Sequence, residues 1–297
     1  MPALTTTHFH CAYLLSACLW LATLLTGAAH ATGNAPFTVS LSPSSVPQGG
    51  ILLVRVNAPG ARAVSLSMGK QTVTADKSGE ETWEAALGIW MEEPAGTHPV
   101  KISVEMADGR RQTTMAACTV TKRTFPIQRL RMSAEQEARY AKPSVQEEYR
   151  LIGAGLRHIS TRAWRGSFKR PAPGRVSTPY GIRRFRNGKR VGIHKGIDIA
   201  APSGTPITAA AAGTVVLRRK FGLHGNTLVI DHGDGLVGLY IHLRDFSVQE
   251  GDRVEAGQLI AHLGATGATT GPNLHYALYV HAIAIDPLLS EKMPEGW

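Results

Sequence analysis

The chain has 297 residues and a formal net charge of +10, from 32 Lys and Arg against 22 Asp and Glu. This length has room for about two domains of ordinary size. The chain has 3 cysteines, and two of them, Cys11 and Cys18, fall in an N-terminal stretch that we expect to be removed as a signal peptide. A mature chain with Cys118 alone excludes an internal disulfide and a cysteine-ligated metal cluster. Any metal site must therefore be built from histidine and carboxylate side chains.

The first 31 residues have the pattern of a secretory signal peptide. Cys11 to Leu25 is almost uninterrupted apolar sequence, and Ala29-His-Ala31 forms a small-x-small cleavage site. About fifteen apolar residues are too few to span a bilayer comfortably. A lipoprotein box ending at Cys18 is the alternative, but it would leave an apolar run on the mature protein. We therefore expect an exported protein, periplasmic or in the cell envelope, with no stable membrane span after cleavage.

From about residue 35 to 125, short runs alternate apolar and polar side chains, as the strands of half-buried sheets do. Turn signals such as Pro47-Gln-Gly-Gly50 and Asp108-Gly109 separate these runs. Short strands at roughly even spacing with such punctuation predict a small antiparallel β-sandwich. Cys118 lies in one of the apolar runs, which predicts a buried structural thiol.

Residues 126–163 change character and predict a helical linker. Ser133-Ala-Glu-Gln136 and Ser144-Val-Gln-Glu147 both have the pattern of capping boxes that open short helices. Pro143 lies between them, where it would break the run. The position of this linker suggests that it sets the orientation of the first domain relative to the second.

Residues 164–297 contain short strands bounded by glycine, with almost no helical periodicity. This pattern predicts an antiparallel sheet with long loops over one face. Because side chains alternate along a strand, Tyr240 and His242 are expected to share a face, as are Asn273 and His275.

Three stretches of this second domain carry candidate metal chemistry. His194 and Asp198 stand four residues apart in Gly192-Ile-His-Lys-Gly-Ile-Asp-Ile-Ala200. Alone they could be a chance pair on a buried strand, because a zinc site usually needs three or four protein ligands. Two further histidines, His242 and His275, stand in apolar alternating runs downstream. Candidate ligands converging from separate strands are typical of a metal cleft.

The ordered set of motifs resembles the lysostaphin/LytM-type zinc endopeptidases, from about residue 165 to residue 289. The stretches that carry the resemblance are His194-x-x-x-Asp198, Tyr240-x-His-Leu243, Gly271-Pro-x-Leu-His275, and the spacers Asp198-Ile-Ala-Ala-Pro-x-Gly-Thr-Pro206 and Gly225-Asn-Thr-Leu-Val-Ile-Asp-His-Gly233. The resemblance implies a mainly β protein whose C-terminal peptidase domain, residues 164–297, is an antiparallel sheet. It also implies that the sandwich over residues 35–125 is an immunoglobulin-like module.

By the same resemblance, His194, Asp198 and His275 are ligands of one Zn²⁺ per chain, with water in the fourth position. A zinc-bound water is acidified enough to attack a peptide carbonyl near neutral pH. His242 matches a catalytic position of the family and would assist this water or the developing oxyanion.

One position departs from the family pattern. Gly-Pro-His-Leu-His normally carries two functional histidines, and here the first of them is Asn273. An amide can donate a hydrogen bond to an oxyanion, but it cannot carry a proton. Either His242 and zinc suffice, with Asn273 as a weak oxyanion donor, or the rate falls by about two orders of magnitude.

Positive charge is concentrated ahead of the first metal-ligand candidate. Between residues 160 and 220 there are fourteen Lys and Arg and one acid, Asp198. A basic rim attracts an anionic polymer. For an exported protein, that partner would be peptidoglycan or another anionic envelope polymer, and nucleic acid does not fit the compartment. The loop at 184–191 is predicted to form one wall of the substrate groove, with Arg183 and Arg186 contacting substrate.

The sequence therefore predicts an exported zinc endopeptidase that cuts peptide bonds in peptidoglycan stem peptides or cross-links. Two alternatives remain open. One is a catalytically weakened protein that binds the wall or regulates another hydrolase, which Asn273 favours. The other is a secreted protease that acts on proteins, because cleft width and loop chemistry decide the substrate.

Overall fold

The computed structural model describes residues 37–297, without the side chains of Gln136 and Arg139. The predicted signal peptide and the lipoprotein box lie outside these residues. Within the described part of the chain, no helix is both long enough and apolar enough to cross a membrane. The structure consists mainly of β-strands, which confirms the predicted fold class.

The first unit consists of nine strands that pair into two sheets. In chain order they are β1 (Thr38–Ser42), β2 (Ser45–Pro47), β3 (Ile51–Asn57), β4 (Ala61–Met68), β5 (Gln71–Thr74), β6 (Asp76–Lys77), β7 (Thr82–Gly88), β8 (Gly96–Met106) and β9 (Arg111–Thr121). One sheet has the order β1-β3-β7-β6 and the other has the order β2-β9-β8-β4-β5.

The alternation of side chains explains why these strands form two layers. In β8, the inward positions Val100, Ile102 and Val104 are fully buried, while the residues between them are not. They join a hydrophobic core that both sheets contribute to, consistent with the predicted sandwich. Cys118 is buried in this core, and burial raises the pKa of its thiol to about 11.

The connector contains one strand and two helices: β10 (Ile127–Leu130), α1 (Ala134–Tyr140) and α2 (Pro143–Gly155). The break between the two helices falls directly before Pro143, as predicted, and Pro143 itself lies in the first turn of α2. The residue before it, Lys142, is the N-cap and makes no side-chain cap hydrogen bond, so the capping box predicted at Ser144 does not start this helix. The fixed φ of proline suits the first helical position, which explains the earlier start.

The second unit contains twelve strands and a short helix. They are β11 (Arg175–Thr178), β12 (Arg183–Arg186), β13 (Lys189–Ile193), β14 (Ile197–Ala200), β15 (Pro206–Thr208), β16 (Gly213–Lys220), β17 (Asn226–Gly233), β18 (Leu236–Phe246), β19 (Arg253–Val254), β20 (Leu259–Leu263), β21 (Asn273–Val280), β22 (Ile283–Ile285) and α3 (Pro287–Ser290). The main sheet has ten strands, with β11-β14-β21-β18-β17-β16-β19 as its principal order. A smaller sheet joins β10 of the connector to β12 and β13.

The two units pack directly against each other. Ile51, Leu53 and Met91 of the first unit belong to the hydrophobic core of the second. At the edge of this interface, Arg162 pairs with Glu84 of the first unit at 2.6 Å and with Asp234 of the second at 2.9 Å. The orientation of the two units is therefore set by apolar contact and buried ion pairs as well as by the connector.

Candidate metal centre and cleft

Asp198 and His275 come together because their strands are neighbours in the main sheet. In the antiparallel pairing of β14 with β21, Asp198 is the register partner of His275. Directly opposed residues of antiparallel strands project their side chains on the same face. His194 reaches the same point from the turn between β13 and β14, and the main-chain N–H of His194 donates to the carbonyl of Ile182 at 2.9 Å.

Three side-chain atoms converge at this point. Asp198 Oδ1 lies 3.0 Å from His194 Nε2 and 2.8 Å from His275 Nδ1, and the two ring nitrogens are 3.0 Å apart. Within residues 37–297, this is the group of three His, Cys, Asp or Glu side chains that could hold a metal ion. The structure thus brings together all three of the ligands predicted from the sequence.

The hydrogen-bond partners show that a cation fits this cluster. His194 Nδ1 lies 2.8 Å from the carbonyl oxygen of Pro179, which can only accept, so this nitrogen carries the proton of a neutral ring. His194 Nε2 and Asp198 Oδ1 then both present lone pairs to the centre. The three atoms make three close contacts, and a single hydrogen on His275 Nδ1 cannot serve all of them. The contact between His194 Nε2 and Asp198 Oδ1 would contain no hydrogen. A divalent ion that accepts histidine nitrogen and carboxylate oxygen, as zinc does, fits the three lone pairs.

The pKa values of Asp198 and His275 keep both side chains in the protonation state that a metal ligand needs. Burial would raise the pKa of Asp198, but the contacts of its carboxylate with the His194 and His275 rings outweigh that effect and hold the pKa well below its usual range. Burial lowers the pKa of His275 to about 4, against the opposing effect of Asp198. At neutral pH the carboxylate is therefore ionised and the His275 ring is neutral, as metal ligands must be.

His242 enters the same cleft through an irregularity in β18. Its φ is +65°, and the pairing of β17 with β18 shifts register close by. Leu239 and Ile241 line the cleft with it, whereas Tyr240 is fully buried and its hydroxyl accepts a hydrogen bond from the Ala210 N–H. The expectation that Tyr240 and His242 share a face is therefore wrong, because the bulge turns His242 out of simple alternation.

The ring of His242 is oriented by one main-chain contact. Its Nδ1 donates to the carbonyl oxygen of Thr266 at 2.8 Å, which leaves Nε2 as the unprotonated nitrogen of a neutral ring. Burial lowers the pKa of His242, with Thr266 and Asp198 opposing that shift. The ring is thus neutral at pH 7 and able to accept a proton at Nε2.

Asn273 lines the cleft on the same strand face as His275, as predicted, but its amide is occupied. Its Nδ2 donates to Thr269 Oγ1 at 2.5 Å and to the carbonyl of Gly271 at 2.8 Å. Both amide hydrogens are therefore used within the loop that precedes β21. In this arrangement Asn273 has no N–H available for an oxyanion.

His224 is a cleft residue that the sequence pattern did not single out. A position between glycines in a loop favoured a solvent-exposed side chain, yet only 14% of this side chain is exposed. Its ring lines the cleft together with His242, and its Nδ1 lies 2.8 Å from Oε2 of Glu148 on α2. The local sequence carries no signal for this contact, because Glu148 lies 76 residues earlier in the chain.

Arg186 and Arg184 line the cleft, whereas Arg183 does not lie on the cleft face of β12. The Arg183 guanidinium is directed to Glu92 at 3.4 Å and lies over the ring of Phe125. Arg184 and Arg186 alternate with it and face the cleft, where Arg184 Nε donates to Gln128 at 3.1 Å. The loop predicted over residues 184–191 is a hairpin of β12 and β13, with Asn187 and Gly188 at its turn.

The cleft is large and is walled partly by the connector. It has a volume of 1090 Å³, and its rim includes Tyr140, Tyr149 and Ile152 from the two helices. This volume is at the upper end of ordinary ligand sites, which suits an extended polymer segment better than a small molecule. The metal-ligand candidates and His242 are among the residues that line it.

Comparison with known proteins agrees with this geometry. Residues 192–287 match the model of peptidase family M23. The DD-carboxypeptidase/endopeptidase Mpg of Neisseria meningitidis is 40% identical over 114 residues, which cover 38% of this chain and 26% of that protein. The peptidoglycan DD-endopeptidase ShyA of Vibrio cholerae is 39% identical over 115 residues, covering 38% of this chain and 27% of the relative. The matched segment thus spans about a quarter of the length of these relatives.

A solved structure shares the fold over most of the chain. A crystal structure of a peptidase M23 from Pseudomonas aeruginosa superposes with a TM-score of 0.62, covering 84% of this chain and 96% of that one, at 24% identity. At this identity the likeness shows the fold alone. The family model, the named relatives and the convergence of His194, Asp198 and His275 together confirm the resemblance seen in the sequence: residues 192–287 form a LytM-type domain of peptidase family M23.

Proposed function

We propose that the chain is a zinc-dependent endopeptidase that hydrolyses peptide bonds in peptidoglycan stem peptides or cross-links. The observation that carries this proposal is the triangle of His194 Nε2, Asp198 Oδ1 and His275 Nδ1 in the lining of an open cleft. The relatives named as peptidoglycan DD-endopeptidases support the substrate class. An exported location, periplasmic or in the envelope, follows from the substrate and belongs to the same proposal.

In this mechanism, His194, Asp198 and His275 would hold the metal. A zinc ion bound there supplies Lewis-acid polarisation of the scissile carbonyl and lowers the pKa of water. His242 accepts a proton from the attacking water at Nε2, because its Nδ1–H is engaged by Thr266. Burial keeps the His242 ring neutral and so available as a base at pH 7.

The substrate partner is proposed to be an anionic polymer of the cell wall. Arg184 and Arg186 face the cleft, and the Arg186 guanidinium lies 4.1 Å from the ring centre of Tyr140. Cationic groups on a cleft wall attract carboxylate-bearing peptides. The stem peptides of the wall are of this kind.

A second candidate function is a wall-binding protein of low or no catalytic activity. The observation that favours it is the Asn273 amide, whose two hydrogens are both engaged by the preceding loop. A side chain locked in this way cannot replace the imidazole normally found at this family position.

Digestion of purified peptidoglycan by the mature chain with added zinc separates these functions. Native protein, His242→Ala and Asn273→His are compared by the release of soluble muropeptides. His262→Gln, which alters a ring that contacts Asp245, serves as a control. Release by the native chain that is lost in His242→Ala supports the endopeptidase. Release by Asn273→His alone would make the natural protein a binding module, and no release by any variant with zinc bound would refute the proposed substrate.

A further inference from the structure

Glu148 is a buried carboxylate of the connector that holds a loop of the peptidase domain. Its two oxygens accept hydrogen bonds from the main-chain N–H groups of Gly222 at 2.9 Å, Leu223 at 3.0 Å and His224 at 3.2 Å. The His224 ring adds a fourth contact through Nδ1 at 2.8 Å. Burial would raise the pKa of Glu148, but these hydrogen bonds together keep it below its usual value. The carboxylate is therefore ionised at neutral pH.

This contact fixes both the tautomer and the direction of the His224 ring. An ionised carboxylate only accepts, so Nδ1 carries a proton and Nε2 is the nitrogen that remains for other partners. The ring is held edge-on to Tyr149, with centroids 5.1 Å apart, and edge-on to Phe221 at 6.4 Å. Among the described side chains Nε2 has no hydrogen-bond partner, yet it is not sealed from solvent. It opens to the cleft that this ring lines.

His224 and His242 are adjacent across two chain segments. The main-chain N–H of His242 donates to the carbonyl oxygen of His224 at 3.1 Å, at the bulge that turns the His242 ring into the cleft. Each ring is oriented through Nδ1, one by the Glu148 carboxylate and the other by the Thr266 carbonyl. The cleft therefore contains two imidazoles with free Nε2 atoms in different electrostatic settings.

We propose that His224, held by Glu148, supplies the second imidazole of the cleft, in place of the side chain that Asn273 lacks. This inference rests on the proposed hydrolytic function. His224 Nδ1 is held by a carboxylate, whereas His242 Nδ1 is held by a neutral carbonyl. His242 is assigned as the base, and His224 as the proton donor.

The proton steps balance without any further reagent. Water adds to the scissile carbon as one of its protons passes to His242 Nε2. The reacting form of His224 carries hydrogens on both ring nitrogens. The C–N bond breaks with its electron pair on nitrogen, and the leaving amine takes the Nε2 proton of His224, which leaves that ring with its Nδ1–H still held by Glu148. The carboxyl product leaves, and the proton on His242 returns to His224 through solvent, which restores both rings.

Two substitutions at His224 distinguish this role from simple anchoring of the loop. His224→Asn keeps a donor at the position of Nδ1 and so keeps the Glu148 contact, but it removes Nε2. His224→Gln places its amide near Nε2 and loses the Nδ1 donor. We expect His224→Asn to lower kcat by about 100-fold at unchanged KM, with zinc content and Tm unchanged. The double variant that carries both Asn273→His and His224→Asn should then have a kcat at least tenfold higher than that of His224→Asn alone.

A second measurement does not depend on turnover. A phosphonamidate analogue of the cleaved peptide mimics the tetrahedral intermediate and keeps a nitrogen at the position of the leaving amine. It should bind His224→Asn about tenfold more weakly than the native chain. The product peptide should bind both chains equally. Equal phosphonamidate affinity in the two chains would overturn the proposal.

The hydrolytic function and this inference fail in different ways. Full kcat in His224→Asn, together with loss of activity in His242→Ala, would leave the hydrolase intact and reduce His224 to a loop anchor. Loss of activity in His224→Gln but not in His224→Asn would lead to the same conclusion. No muropeptide release by the native zinc-loaded chain would refute the hydrolytic function, and this inference with it.

Discussion

Asp198 and His275 are register partners on β14 and β21, and their side-chain atoms Oδ1 and Nδ1 lie 2.8 Å apart. Because both side chains stand on the same face of a ten-stranded sheet, their separation is fixed by main-chain hydrogen bonds. His194 reaches them from a turn of three residues that also contains Gly196. The sheet thus fixes the positions of Asp198 and His275, and one tight turn places His194 beside them.

Zinc should bind this cluster with one ion per chain and stabilise the fold. A ligand present at about 100 times its Kd stabilises the folded state by about 2.7 kcal/mol, which appears as a higher Tm. Asp198→Ala should lose both the bound zinc and the Tm increase, while His262→Gln should retain them. Metal analysis after dialysis and thermal unfolding with and without chelator measure this. Stoichiometric zinc in Asp198→Ala would place the metal elsewhere.

Gly196→Ala should damage the metal site without changing any ligand. A Cβ at this position would lie 2.3 Å from the carbonyl oxygen of Tyr276, so β14 and β21 would have to separate. Overpacking of this kind typically costs about 1–3 kcal/mol. Gly271→Ala is the matched control, because a Cβ there meets no atom within 4 Å.

For Gly196→Ala we expect a lower free energy of unfolding and zinc affinity reduced by at least tenfold, whereas Gly271→Ala should resemble the native chain in both measurements. Urea unfolding gives the first quantity and competition with a chromophoric chelator gives the second. If Gly196→Ala bound zinc with the affinity of the native chain, the turn would accommodate the added Cβ without displacing the metal ligands.

The metal ligands could be predicted from the sequence because the motif and the chemistry coincide. His194 and Asp198 stand together in the chain, but alone they could be a chance pair on a buried strand, and the family resemblance was needed to predict them as ligands. His275 required the family resemblance, because its pairing with Asp198 depends on strand register across 77 residues. Register is set by the whole sheet and is not local information.

Three features of the rest of the cleft could not be predicted from the local sequence: the direction of the His242 ring, the contact of His224 with Glu148, and which of two adjacent arginines faces the cleft. His242 departs from strand alternation through a positive φ, a conformation that the surrounding sequence does not signal. His224 owes its place to Glu148, a helix residue that a local reading assigns to the solvent-exposed face of the connector. Arg183 and Arg184 differ by one position, which in a strand decides which face a side chain takes.

Arg184 and Arg186 should contribute to wall binding, and Arg183 should not. The first two line the cleft, whereas the Arg183 guanidinium contacts Glu92 and Phe125. Arg184→Gln and Arg186→Gln should each weaken binding to purified sacculi by about fivefold at low salt, with a smaller effect at high salt. Arg183→Gln is the control of equal charge, and pull-down at several salt concentrations measures all three. Equal losses in the three variants would show that only total charge matters.

His232 should make the fold sensitive to acid. Its ring is fully buried, and Nδ1 donates to the carbonyl oxygen of Ala212 at 2.9 Å. Burial lowers the pKa of His232 from 6.5 to about 4. Above pH 6.5 the ring is neutral in both states, so it contributes nothing to the pH dependence. As the pH falls from 6.5 towards 4, the unfolded chain binds a proton that the folded chain does not bind, and stability decreases.

The difference between the two pKa values corresponds to about 3 kcal/mol when the change is complete, since one pKa unit equals about 1.4 kcal/mol. His232→Asn keeps a donor to Ala212 and removes the titration, although it loses packing against Phe168, whose ring centre is 5.0 Å away. We therefore expect His232→Asn to be less stable than the native chain at pH 7, but to lose about 3 kcal/mol less between pH 7 and pH 4. Urea unfolding at several pH values, with zinc chelated in both proteins so that the metal ligands contribute equally, measures the difference. Parallel stability curves for the two chains would show that the buried ring takes up its proton without unfolding.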